Sequence, residues 1–354
     1  MAIAMAVVEG GGATPDNDIS VLVCPATDEH PRCSEASVVA LRDGRLLLAY
    51  SEFIGAGADD SPAQIMAKTS ADGGRTWGEA CVLQPNTGRQ NVMSASLLRL
   101  RSGRLMLGYL VKNSSSDLRL EVRLSSDEGK RWSDPVEACR RDGYHVMNND
   151  RLLQLESGRV IAPISYDTDW LHDAHFRVFC LLSDDEGKTW KESASTFDLP
   201  ERGAMEPGVC QLADGSLLVV IRTQFGQIYF SRSRDGGESW SDPEPSGIRS
   251  PESPATLQRL PRSKDLLLVW NDNYEPGTGH GGKRTPLAAA ISRDGGKTWG
   301  KARNLEDDPN RAFSYPSLTF VGERVLLTYY DGSTLGRSSL RFRSLPLAWF
   351  RAAR

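Results

Sequence analysis

The stretch SRDGGKTWG, residues 292–300, decides the fold because the chain repeats it five times in nearly the same form. The copies begin at Ser70, Ser125, Ser183, Ser233 and Ser292. An active site needs one catalytic aspartate, whereas an aspartate in every copy suits a structural turn. Its carboxylate can accept backbone N–H bonds, a glycine supplies positive φ, and the tryptophan packs between sheets. We therefore predict that this motif, SxDxGxxW, is architectural.

A second pattern, a turn followed by an apolar strand, occurs six times in step with the first. Each copy follows another apolar strand, and the turn of two to four residues between the two strands predicts a β-hairpin. A third strand leads into each copy of the motif. The six turn-and-strand segments are 43–51, 102–110, 157–165, 214–222, 263–271 and 322–330.

Three or four short strands in a repeat of about 55 residues, repeated six times, predict an all-β, six-bladed β-propeller. The sixth repeat lacks the motif, so residues 20–24, SVLVC, are predicted to supply its outer strand and to close the ring. We expect a single domain over residues 20–345. A flexible extension at 1–19 and a C-terminal tail at 346–354 flank it.

Strand direction separates the two faces of such a domain. The innermost strand of each repeat starts on one face, here called the top face, and the second strand returns to it. The loop between the second and third strands therefore lies on the top face, and the SxDxGxxW turn lies on the opposite face. Functional groups are expected where innermost strands start, where second strands end, and in the top-face loops.

Polar and charged residues occupy several of these top-face positions. Glu206 begins the innermost strand of repeat four, and Glu35 and Asn149, followed by Asp150, occupy the corresponding place in repeats one and three. Arg222 ends the second strand of repeat four, where repeat six has Tyr329. Because unpaired charges are costly to bury, this gathering predicts a binding or catalytic site. Its other members are Arg284, Tyr315, and Asp59 and Asp60 in the first top-face loop.

The chain resembles the sialidase (neuraminidase) superfamily in these residues and in the five motif copies, which look like that family's Asp boxes. The resemblance covers about residues 29–330. It implies that Tyr315 is a nucleophile and Glu206 the base that activates it. It also implies that Arg222 and Arg284 bind the substrate carboxylate and that Asp59 or Asp60 is the acid/base. A neutral tyrosine suits a sugar whose reacting carbon bears a carboxylate, because an anionic nucleophile would meet like charge.

One position departs from the family pattern. The family's first arginine falls where this chain has Ser34 and Glu35, and Arg32 lies two residues earlier. Arg32 could complete an arginine triad from a shifted backbone. Glu35 could either pair with an arginine or accept a hydrogen bond from a sugar hydroxyl that sialosides do not place there. The sequence leaves these alternatives open.

Composition argues against several other classes of protein. A formal net charge of -4 disfavours nucleic acid as a partner, and no apolar run is long enough to span a membrane. The six cysteines are scattered, so we expect buried or free thiols, not a disulfide framework, and a cytoplasmic location with secretion still open. We expect neither cofactor nor metal, since His172 and His175 form the one close histidine pair and lack further ligands at suitable spacing.

These observations predict a sialidase-like retaining exo-glycosidase that releases a terminal acidic sugar from a glycan or glycoconjugate, with sialic acid as the first candidate. A related glycosidase acting on a uronic or other keto-acid sugar is one alternative. A non-catalytic propeller that binds glycans through the same face is another. The pairing of Glu206 with Tyr315 favours an enzyme, because binding alone needs no nucleophile and base.

Overall fold

The computed structural model describes residues 18–172, 174–277, 282–333 and 336–352, so most of the predicted extension at 1–19 lies outside the described residues. Strands dominate these residues, and the predicted all-β class is confirmed. In chain order the elements are β1 (Ile19–Cys24), β2 (Arg32–Ala40), β3 (Leu46–Phe53), β4 (Ala63–Ser70), β5 (Cys81–Gln84), β6 (Asn91–Arg99), β7 (Leu105–Ser114), β8 (Asp117–Ser125), β9 (Val136–Glu137), β10 (Gly143–Val146), β11 (Leu153–Gln154), β12 (Val160–Asp167), β13 (Arg177–Ser183), β14 (Lys191–Glu192), β15 (Met205–Gln211), β16 (Leu217–Arg222), β17 (Gln227–Ser233), β18 (Glu244–Arg249), β19 (Thr256–Arg259), β20 (Leu266–Asn271), β21 (Leu287–Ser292), β22 (Arg303–Glu306), β23 (Ala312–Val321), β24 (Arg324–Gly332), β25 (Ser338–Pro346) and α1 (Leu347–Arg351).

All six predicted hairpins form, and each continues into a third and a fourth antiparallel strand. The six sets, written from the innermost strand outward, are β2-β3-β4-β5, β6-β7-β8-β9, β11-β12-β13-β14, β15-β16-β17-β18, β19-β20-β21-β22 and β23-β24-β25-β1.

The fourth strand of the last set comes from the N-terminal part of the chain, as predicted. β1 pairs antiparallel with β25, with Ile19 opposite Ser344 and Val21 opposite Phe342. The sets are not all separate sheets, however. A parallel pair between Arg32 and Ser338 joins β2 to β25, and β10 joins β8 to β12. The first set therefore continues into the last one, and the second set into the third.

Innermost strands of different sets pack on one another. β2 contacts β6 and β23, β15 contacts β19, and β19 contacts β23. Hydrogen bonds also link different sets: Thr319 Oγ1 of β23 donates to the Val38 carbonyl of β2 at 2.8 Å, and Arg151 Nη1, just before β11, donates to Thr256 Oγ1 of β19 at 3.0 Å. The starts of the innermost strands are thereby brought close together.

The SxDxGxxW turns are held by their own side chains. In the last copy, Ser292 Oγ accepts from the Gly296 N–H at 2.8 Å, and Asp294 accepts from the Thr298 N–H at 2.9 Å and the Thr298 hydroxyl at 2.6 Å. Chiefly because of the Thr298 hydroxyl, the pKa of Asp294 falls to about 2. In the first copy the Trp77 ring packs edge-on against Phe342 at 5.1 Å. The architectural interpretation of the motif is confirmed.

Two expectations about the chain need correction. Cys24 and Cys33 form a disulfide between β1 and β2, so the expectation of unpaired thiols is wrong for this pair, while Cys139, Cys180 and Cys210 are buried free thiols. These two cysteines meet because β1 and β2 both pair with β25, which their sequence spacing does not reveal. Part of the expected tail from residue 346 is the helix α1, whose Phe350 is buried. No helix among the described residues is long and apolar enough to cross a membrane.

Replacing Asp294 with alanine tests the structural role of the motif. We expect the free energy of unfolding to fall by about 1–2 kcal/mol, because turn N–H and O–H groups lose their acceptor at an exposed site. Chemical denaturation of Asp294→Ala beside wild type measures this loss. Asp307→Ala, which removes an exposed carboxylate outside the motif, should change stability by less than about 0.5 kcal/mol.

The same variant has a defined pH dependence. Because the folded pKa of Asp294 lies below the ordinary value of about 3.9, its contribution is complete above about pH 4 and is lost as the pH falls towards 2. The stability difference between wild type and Asp294→Ala should shrink over that interval. A difference that stays constant from pH 5 to 2 would contradict the assignment.

Candidate active site

A cavity of about 340 Å³ opens on the top face. Its lining comes from starts of innermost strands, ends of second strands and top-face loops, and includes no residue of the five motif copies. The predicted assignment of the two faces therefore agrees with the position of the cavity. Seven of the predicted site residues line it: Arg32, Glu35, Asp59, Glu206, Arg222, Arg284 and Tyr315.

An irregularity at the start of the innermost strands positions several of these side chains. Glu35, Ser94, Glu206 and Tyr315 have positive φ values of 53°, 60°, 39° and 57°, and the strand register shifts beside each of them. Non-glycine residues rarely adopt this conformation, which costs on the order of 1 kcal/mol or more. Its recurrence in four repeats shows that the fold imposes it, and all four residues line the cavity.

Tyr315 of β23 and Glu206 of β15 form a direct hydrogen bond between the sixth and fourth sets. The Tyr315 hydroxyl donates to Glu206 Oε1 at 3.1 Å, while Arg222 Nη1 donates to Glu206 Oε2 at 2.5 Å. Burial, and then the nearby Glu206 carboxylate, raise the pKa of Tyr315, although Arg284 and Arg222 act in the opposite direction. The phenol is therefore neutral and hydrogen-bonded to a carboxylate oxygen.

Arg222 lies between two carboxylates. Its side chain is 5% exposed, and its second nitrogen, Nη2, is 3.6 Å from Glu252, which also pairs with Arg202 at 2.5 Å. The sequence analysis missed Glu252 and Arg202. Glu252 precedes the innermost strand of repeat five, in SPESPATL (250–257), so its place at the start of that strand was the signal that could have identified it.

Arg284 differs from the other arginines of the cavity. Its Nη1 donates to the Tyr330 hydroxyl at 2.7 Å, and the guanidinium lies 5.5 Å from the Tyr315 ring centre. Among the described residues, no carboxylate forms an ion pair with Arg284. A planar guanidinium without an internal anion suits a ligand carboxylate.

Tyr330 was overlooked because the predicted register was one residue off. The sequence analysis aligned Tyr329 with Arg222, but Tyr330 pairs with Ser314 as Arg222 pairs with Met205. A shift by one residue exchanges the two faces of a strand. Tyr330 therefore lines the cavity, whereas the Tyr329 ring is buried elsewhere and its hydroxyl donates to Glu306 at 2.5 Å.

Arg32 reaches the cavity and contacts two acidic residues. Its Nη1 is 2.5 Å from Asp59 Oδ1, and its Nη2 is 3.4 Å from Glu35 Oε1. The surrounding protein opposes ionisation of Asp59 although this side chain reaches solvent, but Arg32, Lys112 and Arg284 outweigh that effect and lower the pKa of Asp59. The position of Arg32 agrees with the expected third arginine, although its charge is already shared between two carboxylates.

The loop that carries Asp59 is anchored through its backbone. Asn91 Nδ2 and Lys112 Nζ both donate to the Asp59 carbonyl, at 2.8 and 3.1 Å. The Asp59 side chain, 62% exposed, is thereby fixed at the mouth of the cavity. The neighbouring Asp60 is exposed and does not line the cavity, so the structure distinguishes these two candidates by position.

Asn149 and Asp150 do not line the cavity. Asn149 Nδ2 donates to the carbonyls of Ala36 and Tyr315, at 2.7 and 3.2 Å. Asp150 accepts from the Ser37 hydroxyl and from the Leu318 N–H, at 2.7 and 2.8 Å. Both side chains bind innermost strands of other sets together, so the structure gives them a structural position in place of the expected substrate-binding one.

The cavity also has an apolar part, which the sequence did not reveal and which combines aromatic rings with methionine side chains. Its members are Met93, Tyr144, Trp170, Phe176 and Met205. The charged part can bind an anion and the apolar part can bind a less polar substituent of the same ligand. Outside the cavity, Cys24, Cys33 and Glu52 are the one group of described residues close enough to share a metal, and the two cysteines are joined in the disulfide.

Comparison with known proteins places the chain in a family. The model of the BNR repeat-like domain matches residues 44–327. A sialidase of Bacteroides fragilis (strain YCH46) is 24% identical over 229 residues, which cover 61% of this chain and 40% of that protein. A sialidase of Micromonospora viridifaciens is 24% identical over 345 residues, covering 87% of this chain and 50% of that protein. The chain thus spans half or less of the length of these relatives.

A solved structure supports the fold independently of sequence. A protein of unknown function from Dyadobacter fermentans DSM 18053 superimposes with a TM-score of 0.77 at 19% identity, over 94% of this chain and 98% of that one. The family match covers most of the chain, including the second to fifth hairpins in full and all five motif copies. The chain therefore belongs to the BNR repeat-like family of the sialidase superfamily.

Proposed function

We propose that this protein is a retaining exo-glycosidase of the sialidase type, which releases a terminal keto-acid sugar from a glycan or glycoconjugate. The observation that carries the proposal is the hydrogen bond of 3.1 Å between the Tyr315 hydroxyl and Glu206 inside the arginine-lined cavity. The sialidases of Bacteroides fragilis and Micromonospora viridifaciens support the same class of reaction at low identity.

In the first step, Glu206 removes the proton from the Tyr315 hydroxyl as the phenol oxygen attacks the reacting carbon. Asp59 gives a proton to the departing glycosidic oxygen, and a covalent tyrosyl–sugar intermediate forms. Asp59 needs its proton at this stage, although Arg32 lowers its pKa in the free protein. A substrate carboxylate near the arginines, together with the loss of solvent, raises that pKa again.

In the second step, the Asp59 carboxylate takes a proton from a water molecule, which attacks the same carbon from the side that the leaving group vacated. The bond to Tyr315 breaks, and Glu206 returns the proton to the phenol oxygen. Two displacements at one carbon retain its configuration. Arg284, supported by Arg222 and Arg32, holds the substrate carboxylate through both steps.

We also propose that the six sets of four strands are the blades of a closed six-bladed propeller. The pairing of β1 with β25 and the contacts of β2 with both β6 and β23 support this architecture. In such a ring, every innermost strand starts on the same face around one axis. This arrangement explains how residues from the first, fourth, fifth and sixth sets line one cavity.

Replacing Tyr315 with phenylalanine tests the nucleophile. Turnover of an aryl keto-acid glycoside should fall at least about 1,000-fold, because the ring stays and the attacking oxygen is lost. Tyr330→Phe removes a hydroxyl from the adjacent ring, 5.7 Å away, and should cost less than about tenfold. NMR of the first-formed wild-type product should show retained configuration, and an inverted product would rule out the double displacement.

Replacing Asp59 with alanine tests the acid. For glycosides with a poor leaving group, kcat should fall about 10²- to 10⁴-fold. The loss should be much smaller for a 4-nitrophenyl glycoside, whose leaving group departs without a proton. Asp60→Ala is the matched control and should retain activity within about twofold on both substrates. Equal losses for the two variants would contradict the assignment of Asp59.

Replacing Arg284 with lysine tests carboxylate binding. The charge stays but the planar fork is lost, so KM for an acidic glycoside should rise at least about tenfold. Arg249→Lys, at an exposed arginine that does not line the cavity, is the control and should leave KM unchanged. If neutral glycosides are cleaved as well as acidic ones by the wild type, the carboxylate-binding role of Arg284 is wrong.

A further inference from the structure

Glu35 enters the cavity by the same route as the proposed base and nucleophile. It has the positive φ that Glu206 and Tyr315 have at the equivalent point of their repeats, and it lines the same cavity. It is 5% exposed. Burial raises its pKa, and Asp59 and Glu206 raise it further, against the effect of Arg32. Burying a carboxylate at this position costs free energy, and side-chain packing alone does not explain why the residue is a glutamate.

The hydrogen bonds of Glu35 are long. Arg32 Nη2 is 3.4 Å from Oε1, the Ser94 hydroxyl is 3.3 Å from Oε1, and the Ser34 hydroxyl is 3.4 Å from Oε2. A carboxylate offers about four acceptor positions and prefers charge-assisted bonds of about 2.7–2.9 Å. Glu35 therefore has acceptor capacity that the surrounding side chains use at long range only.

Pairing with Arg32 does not account for this residue. Arg32 already has Asp59 at 2.5 Å, a much closer anion than Glu35. Glu206 and Asp59, the other two acidic residues that line the cavity, each have an arginine at 2.5 Å. Of the two alternatives that the sequence leaves open, a bond to the substrate fits the distances better than a partnership with an arginine.

The substituents of the reacting carbon decide which part of the sugar can donate. In a keto-acid sugar this carbon bears the carboxylate, the leaving-group oxygen, the ring oxygen and the next ring carbon. The carboxylate goes to the arginines and the leaving oxygen to Asp59, while the ring oxygen has no proton to donate. Glu35 and Asp59 both contact Arg32, at 3.4 and 2.5 Å, so Glu35 lies near the proposed acid, and a hydroxyl on the next ring carbon is the nearest remaining donor.

Building on the proposed function, we propose that Glu35 is a specificity-determining residue that accepts a hydrogen bond from a hydroxyl on the ring carbon next to the reacting carbon. The preferred substrate is then a keto-acid sugar hydroxylated at that position. In N-acetylneuraminic acid this carbon is a methylene, which would leave Glu35 buried without a short bond. Sites built to bind a hydroxyl discriminate strongly against analogues that lack it.

The test uses three aryl glycosides: that of N-acetylneuraminic acid and its two analogues with a hydroxyl on the adjacent carbon, one in each configuration. Wild type should prefer one hydroxylated analogue by at least about 100-fold in kcat/KM. That preference should decrease in the order Glu35, Glu35→Gln, Glu35→Ala, because glutamine keeps a weaker acceptor. Glu52→Gln changes a buried carboxylate of the same hairpin outside the cavity and should keep the full preference.

The possible outcomes distinguish a failure of the proposed role of Glu35 from a failure of the proposed glycosidase activity, on which that role rests. Cleavage of all the glycosides at similar rates would overturn the role of Glu35 and leave the proposed glycosidase intact. A preference that survives in Glu35→Ala would also overturn it. If no acidic glycoside is cleaved, the proposed function fails. Calorimetric binding of the free sugar acids to Tyr315→Phe then decides whether the cavity prefers the hydroxylated acid over the deoxy acid. Equal or undetectable binding of hydroxylated and deoxy acids by that variant counts against Glu35.

Discussion

The structure depends on the reversal of chain direction that antiparallel pairing imposes on consecutive strands. Each set of four strands reverses direction three times, so its loops alternate between two faces of the molecule. The five SxDxGxxW turns fall on one face, and the starts of the innermost strands fall on the other. The turn residues can therefore be repeated for stability while the residues of the opposite face vary for function.

Within four of the innermost strands, the backbone conformation is constant while the side chain that it carries differs from repeat to repeat. The positive-φ position at the start of an innermost strand recurs, but it carries Glu35, Ser94, Glu206 and Tyr315 in different repeats. The same backbone conformation directs each of these four side chains into the cavity, and the chemical group placed there differs among the repeats. Backbone strain of this kind persists only where the surrounding structure holds it, which is common at functional sites.

Charge pairing explains how the cavity tolerates so many ionised groups. Arg222 lies between Glu206 and Glu252, and Arg32 lies between Asp59 and Glu35. Removing water from an unpaired charge would cost several kcal/mol, so these arginines are compensated internally. Arg284 has the Tyr330 hydroxyl in place of a carboxylate. The distribution of partners, more than the number of arginines, therefore marks where an anionic ligand is expected.

The sequence by itself determined the six hairpins, the return of β1 as the fourth strand of the last set and the face on which most of the site lies, because these follow from periodicity and strand direction. It could not distinguish Asp59 from Asp60 or Tyr330 from Tyr329, because a loop conformation and a one-residue register shift decide those choices. It also missed Glu252, the Cys24–Cys33 disulfide and the inter-strand role of Asn149 and Asp150. Each of these depends on which residues of different strand sets meet in the folded chain, and only the tertiary structure decides that.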